Sequence, residues 1–322
     1  MAFSQGQVLA VALVFIGCCT NVVTLEAIIK QDKGAGNIVT FAQFLVIAVE
    51  GIVITSRFFT RSSVIPLKWY AAMVVMFFTV SLINNYTLKM NISLPLHMIF
   101  RASSLVANLI LGILILRKRY TMSKYFSVLL ITLGISTCTI VTGKAMKSSS
   151  DANDENFSTW LIGIGMLIFA LFVSALMGVY QEVLYKKYGK QPREAMLWTH
   201  LMPLPGFYIL YSDIMEHAGI FTASEPVDFL SFNVPSLWLL LLANTLTQYV
   251  CIRGVFYLTT ACPSLTVTLI ITLRKFVSLI FSIFFFGNAF TAYHWVGTAC
   301  VFGGTLLFSE VLPIGRSHSK KE

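Results

Sequence analysis

Apolar runs of membrane-spanning length recur ten times along this sequence, and nothing else in it constrains the fold as strongly. They lie at 7–29, 38–54, 67–88, 93–116, 123–142, 159–181, 196–214, 236–258, 264–286 and 293–312. About 20 largely apolar residues suffice to cross a bilayer as a helix, and a spanning segment must satisfy its backbone hydrogen bonds internally. The chain is 57% hydrophobic and 11% charged, against about 25% charged in an ordinary soluble domain. The fold class is therefore an all-α polytopic membrane protein, with the lipid bilayer as its first partner. The connections leave no room for an extramembrane domain, so any chemistry lies among the helices.

The net charge of +9 is then a matter of topology and not of nucleic-acid binding, because Lys and Arg accumulate on the cytoplasmic side. With a cytoplasmic N-terminus, Arg57, Arg61, Lys68, Arg117, Lys118, Arg119, Lys124, Lys186, Lys187, Lys190, Arg193, Arg316, Lys320 and Lys321 share that side. Lys30, Lys33, Lys89, Lys144 and Lys147 face the other. The asymmetry places both termini in the cytoplasm. MAFSQGQ carries no basic residue before the first run, so that run is expected to be a retained helix and not a cleaved signal. The six cysteines all fall in or beside apolar runs without a C-x-x-C pair. They are expected to be packing residues, with no zinc site and no disulfide scaffold.

The polar stretch GKAMKSSSDANDENFS separates the runs into two sets of five. It divides the chain into a first half (1–142), a lumenal linker (143–158), a second half (159–312) and a cytoplasmic tail (313–322). Five is odd, so related halves would enter the membrane with opposite orientation, an inverted repeat. At an offset of 156, LEAIIK (25–30) lies over QEVLYK (181–186). At an offset of 170, RYTMSKYFSVLLITLG (119–134) lies over AFTAYHWVGTACVFGG (289–304), and Ser104 and Leu105 fall on Arg274 and Lys275.

That last register matters because four cations lie inside spans: Arg101, Arg253, Arg274 and Lys275. Each costs about 2.5–3.5 kcal/mol at the centre of a spanning helix. Arg274 and Lys275 sit at the middle of SLTVTLIITLRKFVSLIFSIFFF, and Arg101 is about one turn from the equivalent place in the fourth run. Lys275 shares a helical face with Thr268, Thr272, Ser278 and Ser282, while Arg274 points about 100° away. The cations either hold helices together through Glu26 and Glu50 or bind an anion. His97 lies one turn before Arg101 and Asn108 seven residues after it. Asn84, Asn85, Asn244 and Gln248 offer amides that join helices or read a ligand edge. Glu26 and Glu50 are candidates for counter-ions or gates, and equally for structural salt bridges. Three Asn-x-Ser/Thr triplets, at Asn85, Asn91 and Asn156, lie in or beside spans, where little modification is expected. No P-loop, metalloprotease or nucleophile-elbow motif occurs, so neither an enzyme nor a cofactor is indicated.

The segments GNIVTFAQFLVIAVEG, NNYTLKMNISLPLHMIFRASSLVANLILG, TQYVCIRGVFYLTTACPSLTVTLIITLRKFVSLIFS and FTAYHWVGTACVFGGTLLF resemble the nucleotide-sugar transporters of the drug/metabolite transporter superfamily, over essentially the whole chain. The resemblance implies a ten-helix inverted repeat in the Golgi or endoplasmic reticulum membrane. It implies an antiporter that brings UDP-sugars such as UDP-N-acetylglucosamine and UDP-xylose into the lumen and returns UMP. Lys275, with Arg274 beside it, matches the family's ninth-span nucleotide lysine, and Arg101 its fourth-span basic residue. His97, Asn84 and Asn85 complete the expected substrate-binding set. GDP-mannose members carry Gly-Ala-Leu-Asn-Lys where this chain reads ITLRK, a departure at the position tied to guanine recognition. The C-terminal HSKKE places its lysines second and third from the end, out of register for a dilysine retrieval signal, so Golgi residence is expected ahead of the endoplasmic reticulum. A second copy of the chain is carried as a candidate partner. The rival expectation is a proton-coupled exporter of other small metabolites, using Glu26 or Glu50 as proton carrier.

Overall fold

The computed structural model describes residues 5–90, 92–148, 154–229, 232–262 and 264–309. These form twelve α-helices: α1 (Gln5–Gln31), α2 (Gly36–Glu50), α3 (Leu67–Lys89), α4 (Leu94–Ala102), α5 (Ser104–Leu114), α6 (Met122–Ser148), α7 (Asp154–Tyr188), α8 (Pro192–Leu201), α9 (Tyr211–Thr222), α10 (Ser236–Ala261), α11 (Ser264–Phe286) and α12 (Ala292–Phe308). A hairpin of β1 (Pro226–Phe229) and β2 (Phe232–Pro235) joins α9 to α10, pairing Val227 with Val234 and Asp228 with Asn233. Asn91, the middle of the polar connection (149–153) and the tail 313–322 lie outside the described residues. Residues 143–148 of the expected linker continue α6, and 154–158 begin α7.

Among the described residues, eight helical stretches are long and apolar enough to cross a membrane, matching the expected spans one to six, eight and nine. The fourth is α4 and α5 in line, kinked at Ser103, whose hydroxyl donates to the Ile99 carbonyl (2.8 Å). Such back-bonding bends a helix. The expected tenth span is the 17-residue α12. The expected seventh, 196–214, is not one helix. Pro203 and Pro205 remove backbone donors, and a 3₁₀ segment, Leu204–Leu210, separates α8 from α9. Phe207 seals that break by packing edge-on against Phe41, Phe44 and Phe78.

Two long helix pairs form the frame. α1 packs along α10, and α6 along α12. Close approach depends on glycine. A Cβ on Gly17 would stand 2.7 Å from the Cys251 backbone nitrogen, and one on Gly134 would stand 2.5 Å from the Gly297 carbonyl oxygen. Small residues of this kind let membrane helices meet backbone to backbone. One consequence overturns an expectation: Cys18 and Cys251 are disulfide-bonded across α1 and α10, with Cα atoms 4.6 Å apart. Residues 233 apart in sequence carry no spacing signal, so only the helix contact reveals the pair. Cys19, Cys138, Cys262 and Cys300 are free.

The broken α8–α9 segment is tied at both ends to residues between Asp32 and Lys89. At the α8 end, the Glu194 carboxylate accepts from the Ser63 hydroxyl, the Val64 and Ile65 backbone N–H groups (2.9 Å each) and the Tyr70 hydroxyl (3.1 Å). At the α9 end, Asp213 accepts from Lys89 and Asn37, both at 2.8 Å, and His217 bonds Asp32 at 2.6 Å.

Candidate functional site

Between these elements lies a cavity of about 570 Å³, inside the roughly 300–1,000 Å³ range of small-ligand sites. α1, α2, α3, α4, α5, α7, α8, α10 and α11 line it, whereas α6 and α12 contribute nothing to its wall. The wall is built from helical stripes. On α3 it takes Phe77, Ser81, Asn84, Asn85 and Leu88, and on α2 Gly36, Val39, Thr40, Gln43 and Phe44. These are the three- and four-residue steps of a single helix face.

Three cations enter this cavity: Arg101 from α4, and Arg274 and Lys275 from the middle of α11. Arg101 has substantial accessible surface, and since it lies deep among the helices on the cavity wall, that surface is the cavity's own. The charges of Arg101, Arg274 and Lys275 repel one another. Among the described residues no Asp or Glu lines the cavity, and none is within ion-pair distance of these three. The Arg274 Nε is buried without a hydrogen-bond partner. The 100° offset between Arg274 and Lys275 does not keep either out, because both side chains are long enough to turn into the same space. The charge the cavity lacks is that of an anion. The cost of holding cations out of water is recovered only by a well-placed partner.

All six expected substrate-binding residues, Lys275, Arg274, Arg101, His97, Asn84 and Asn85, line this one cavity. Their circumstances differ. Asn85 spends its amide between helices, donating to Asn37 (3.0 Å) and Thr40 (2.9 Å). His97 is buried, hydrogen-bonded to the Asn84 backbone, with its Nε2 unpartnered. Asn244 is fully buried and joins α10 to α1 and α2, donating to the Asn21 carbonyl and Thr24 hydroxyl (3.0 Å each) and accepting from Gln43 (2.7 Å). Gln248 stays on the cavity wall.

The two glutamates are elsewhere. Glu26 accepts from Asn288, just beyond α11. Glu50 lies 3.4 Å from Arg253 across α2 and α10. Neither these two nor Arg253 line the cavity. Glu50→Gln is accordingly expected to lower the melting temperature, since removing one member of a partly buried pair costs on the order of 1–3 kcal/mol, while leaving anion binding to the cavity intact. Thermal melts with and without ligand read both effects. Lost binding at an unchanged melting temperature would instead place Glu50 in the ligand's field.

Sequence reasoning did not single out Phe44, Phe77, Ser81, Ser174 or His200, all on the wall. The polar members of the α3 stripe, Ser81 and Asn84 at a three-residue step, carried a usable signal. His200 carried only that of an isolated histidine in an apolar run.

Residues 6–312 match the UAA transporter family. The chain is 56% identical over 309 residues to the UDP-xylose and UDP-N-acetylglucosamine transporter of Danio rerio, covering 94% of this chain and 93% of that one. It is 54% identical over 309 residues to nucleotide sugar transporter SLC35B4 of Homo sapiens, with the same coverage. It is also 52% identical over 325 residues to the endoplasmic reticulum GDP-fucose transporter of Drosophila melanogaster, covering 97% and 92%.

Proposed function

The chain belongs to the UAA transporter family, a family of multi-pass nucleotide-sugar transporters and not of enzymes, and on that premise we propose that it exchanges UDP-sugars for UMP. UDP-N-acetylglucosamine and UDP-xylose, the substrates named for the Danio rerio relative, are the proposed cargo. The observation that carries this reading is the cavity with three cations and, among the described residues, no carboxylate. A diphosphate of about two negative charges, or a UMP phosphate of about 1.5–2, fits that excess. The proton-coupled alternative needs a carboxylate facing the cargo, and Glu26 and Glu50 stand off the wall.

The proposed architecture is ten spans in two inverted halves, 1–142 and 159–312, with both termini cytoplasmic. Packing supports it, because the helix contacts come in swapped pairs. α1 with α10 mirrors α7 with α3, α1 with α11 mirrors α7 with α5, and α2 with α10 mirrors α8 with α3. The end of the first span adds a sharper match. Glu26 reaches Asn288, and its counterpart Glu182 on α7 reaches Lys118 (2.8 Å). Lys118 and Asn288 are themselves in register at the offset of 170. We read Glu26 as a tie of the frame on this ground. The proposed site is the Golgi membrane, with the endoplasmic reticulum, named for the Drosophila melanogaster relative, as the alternative.

An empty carrier holds mutually repelling cations, whereas a loaded one is neutralised, so reorientation is easier with cargo bound. Proteoliposomes loaded with UMP are expected to accumulate external UDP-N-acetylglucosamine, and empty vesicles are not. Uptake into empty vesicles driven by a pH gradient would favour the proton-coupled reading. A panel including UDP-xylose and GDP-fucose ranks the sugars.

A further inference from the structure

The cavity has a second chemical character where α2, α3 and α8 line it. α3 packs on α7 and α8, whereas α11 packs on α1, α4, α10 and α12. Phe77 is eleventh of the 23 residues of α3, as Arg274 is eleventh of the 23 of α11. Both therefore sit at mid-helix, on helices that pack mainly against different partners, and both line the cavity. Around Phe77 the wall is aromatic. Phe44 stacks on it (ring centroids 5.3 Å, planes 9° apart), and His200 lies 4.8 Å from Phe44 and 5.3 Å from Phe77. Phe44 is buried and backs the platform, while Phe77 is only partly buried and lines the cavity. The His200 Nδ1–H donates to the Met196 carbonyl at 2.8 Å, which leaves Nε2 as a hydrogen-bond acceptor.

Building on the UDP-sugar reading, we propose that Phe77 and His200 form the nucleobase subsite: the base stacks on Phe77, and His200 Nε2 accepts its ring N–H. The ligand then lies across the cavity, phosphates on α4 and α11, base against α3 and α8. A planar base loses little when its face leaves water for an aromatic ring. A sugar's hydroxyls placed there would lose hydration against phenylalanines that offer no partner. The acceptor sets a preference, since uracil presents an N3–H where cytosine presents a second acceptor.

Competition for labelled-UMP exchange in proteoliposomes of the full chain tests this. With Phe77→Leu, the half-inhibiting concentrations of UMP and UDP-N-acetylglucosamine are both expected to rise about five- to 150-fold, the span of base–aromatic stacking. Phe77→Tyr, which restores the ring, is expected to behave as the wild type. In the wild type UMP is expected to compete better than CMP, and His200→Phe to shrink that ratio about tenfold. The ratio decides the matter even when Phe77→Leu gives no folded protein. Two outcomes overturn the assignment: a loss confined to UDP-N-acetylglucosamine, which gives this wall to the sugar, or an unchanged UMP response in both variants. A wild type that exchanges no uridine nucleotide defeats instead the reading on which the subsite rests.

Discussion

Lys275→Ala is expected to abolish UMP-driven uptake of UDP-N-acetylglucosamine at concentrations that saturate the wild type. Lys275 reaches the cavity from the centre of α11 and has no carboxylate partner among the described residues. Its proposed partner is the cargo's phosphate. Removing one member of a desolvated charge pair costs about 2–5 kcal/mol, or roughly 30- to 5,000-fold in affinity. The effect on the empty protein has the opposite sign. Lys275, Arg274 and Arg101 repel one another, so deleting one charge relieves crowding, and the melting temperature without ligand should hold or rise. UMP should then no longer raise it. A variant that merely misfolds would lose both. Unchanged exchange would remove Lys275 from the mechanism, and the same pair of measurements on Arg274→Ala would say which of the two neighbours holds the phosphate.

Gly297→Leu is expected to prevent accumulation of folded protein. A Cβ at Gly297 would lie 2.6 Å from the Cys138 sulfur and 2.7 Å from the Gly134 carbonyl oxygen. The reciprocal clash at Gly134 means that neither backbone can yield without moving a whole helix. Overpacking of this kind costs about 3 kcal/mol or more, against a total stability of about 5–15 kcal/mol for a typical protein. Gly303→Leu, six residues along α12, supplies the control, because nothing lies within 4 Å of a Cβ there. Size-exclusion profiles of detergent-solubilised protein compare the two. A monodisperse Gly297→Leu peak at wild-type yield would show that α6 and α12 can part without penalty.

What the sequence disclosed and what it withheld divide along physical lines. Properties set by the solvent were legible. The run 264–286 coincides with α11, and 67–88 falls one residue short of α3, because hydrocarbon demands a continuous apolar helix. The cations at the centre of α11 and in the fourth run were conspicuous for the same reason, and they do line one cavity. Properties set by partners were not legible. Asn84 and Asn85 are neighbours with the same chemistry, yet Asn85 is taken up by Asn37 and Thr40. Glu26 and Glu50 were weighed as partners of Arg274 and Lys275 and as structural salt bridges; the folded chain offers Glu26 an asparagine beyond α11 and pairs Glu50 with the fourth intramembrane cation, Arg253 on α10. Phe44 and Phe77 are two among 26 phenylalanines, and only the cavity distinguishes them from the rest.

The broken segment 192–222 has a consequence for how the protein is made. The seventh of the proposed ten spans, 196–214, carries His200 and Asp213 within it and Arg193, Glu194, Glu216 and His217 at its ends, with a prolyl interruption in place of a continuous apolar stretch. Such a segment gains little by partitioning into lipid alone. Its polar groups find partners on Asp32, Asn37, Ser63, Tyr70 and Lys89, all translated well before it leaves the ribosome. An order of biogenesis is expected from this: the amino-terminal helices assemble first and then receive the seventh segment. Substitutions among those early partners would surface as a failure of membrane integration well downstream of the altered codon.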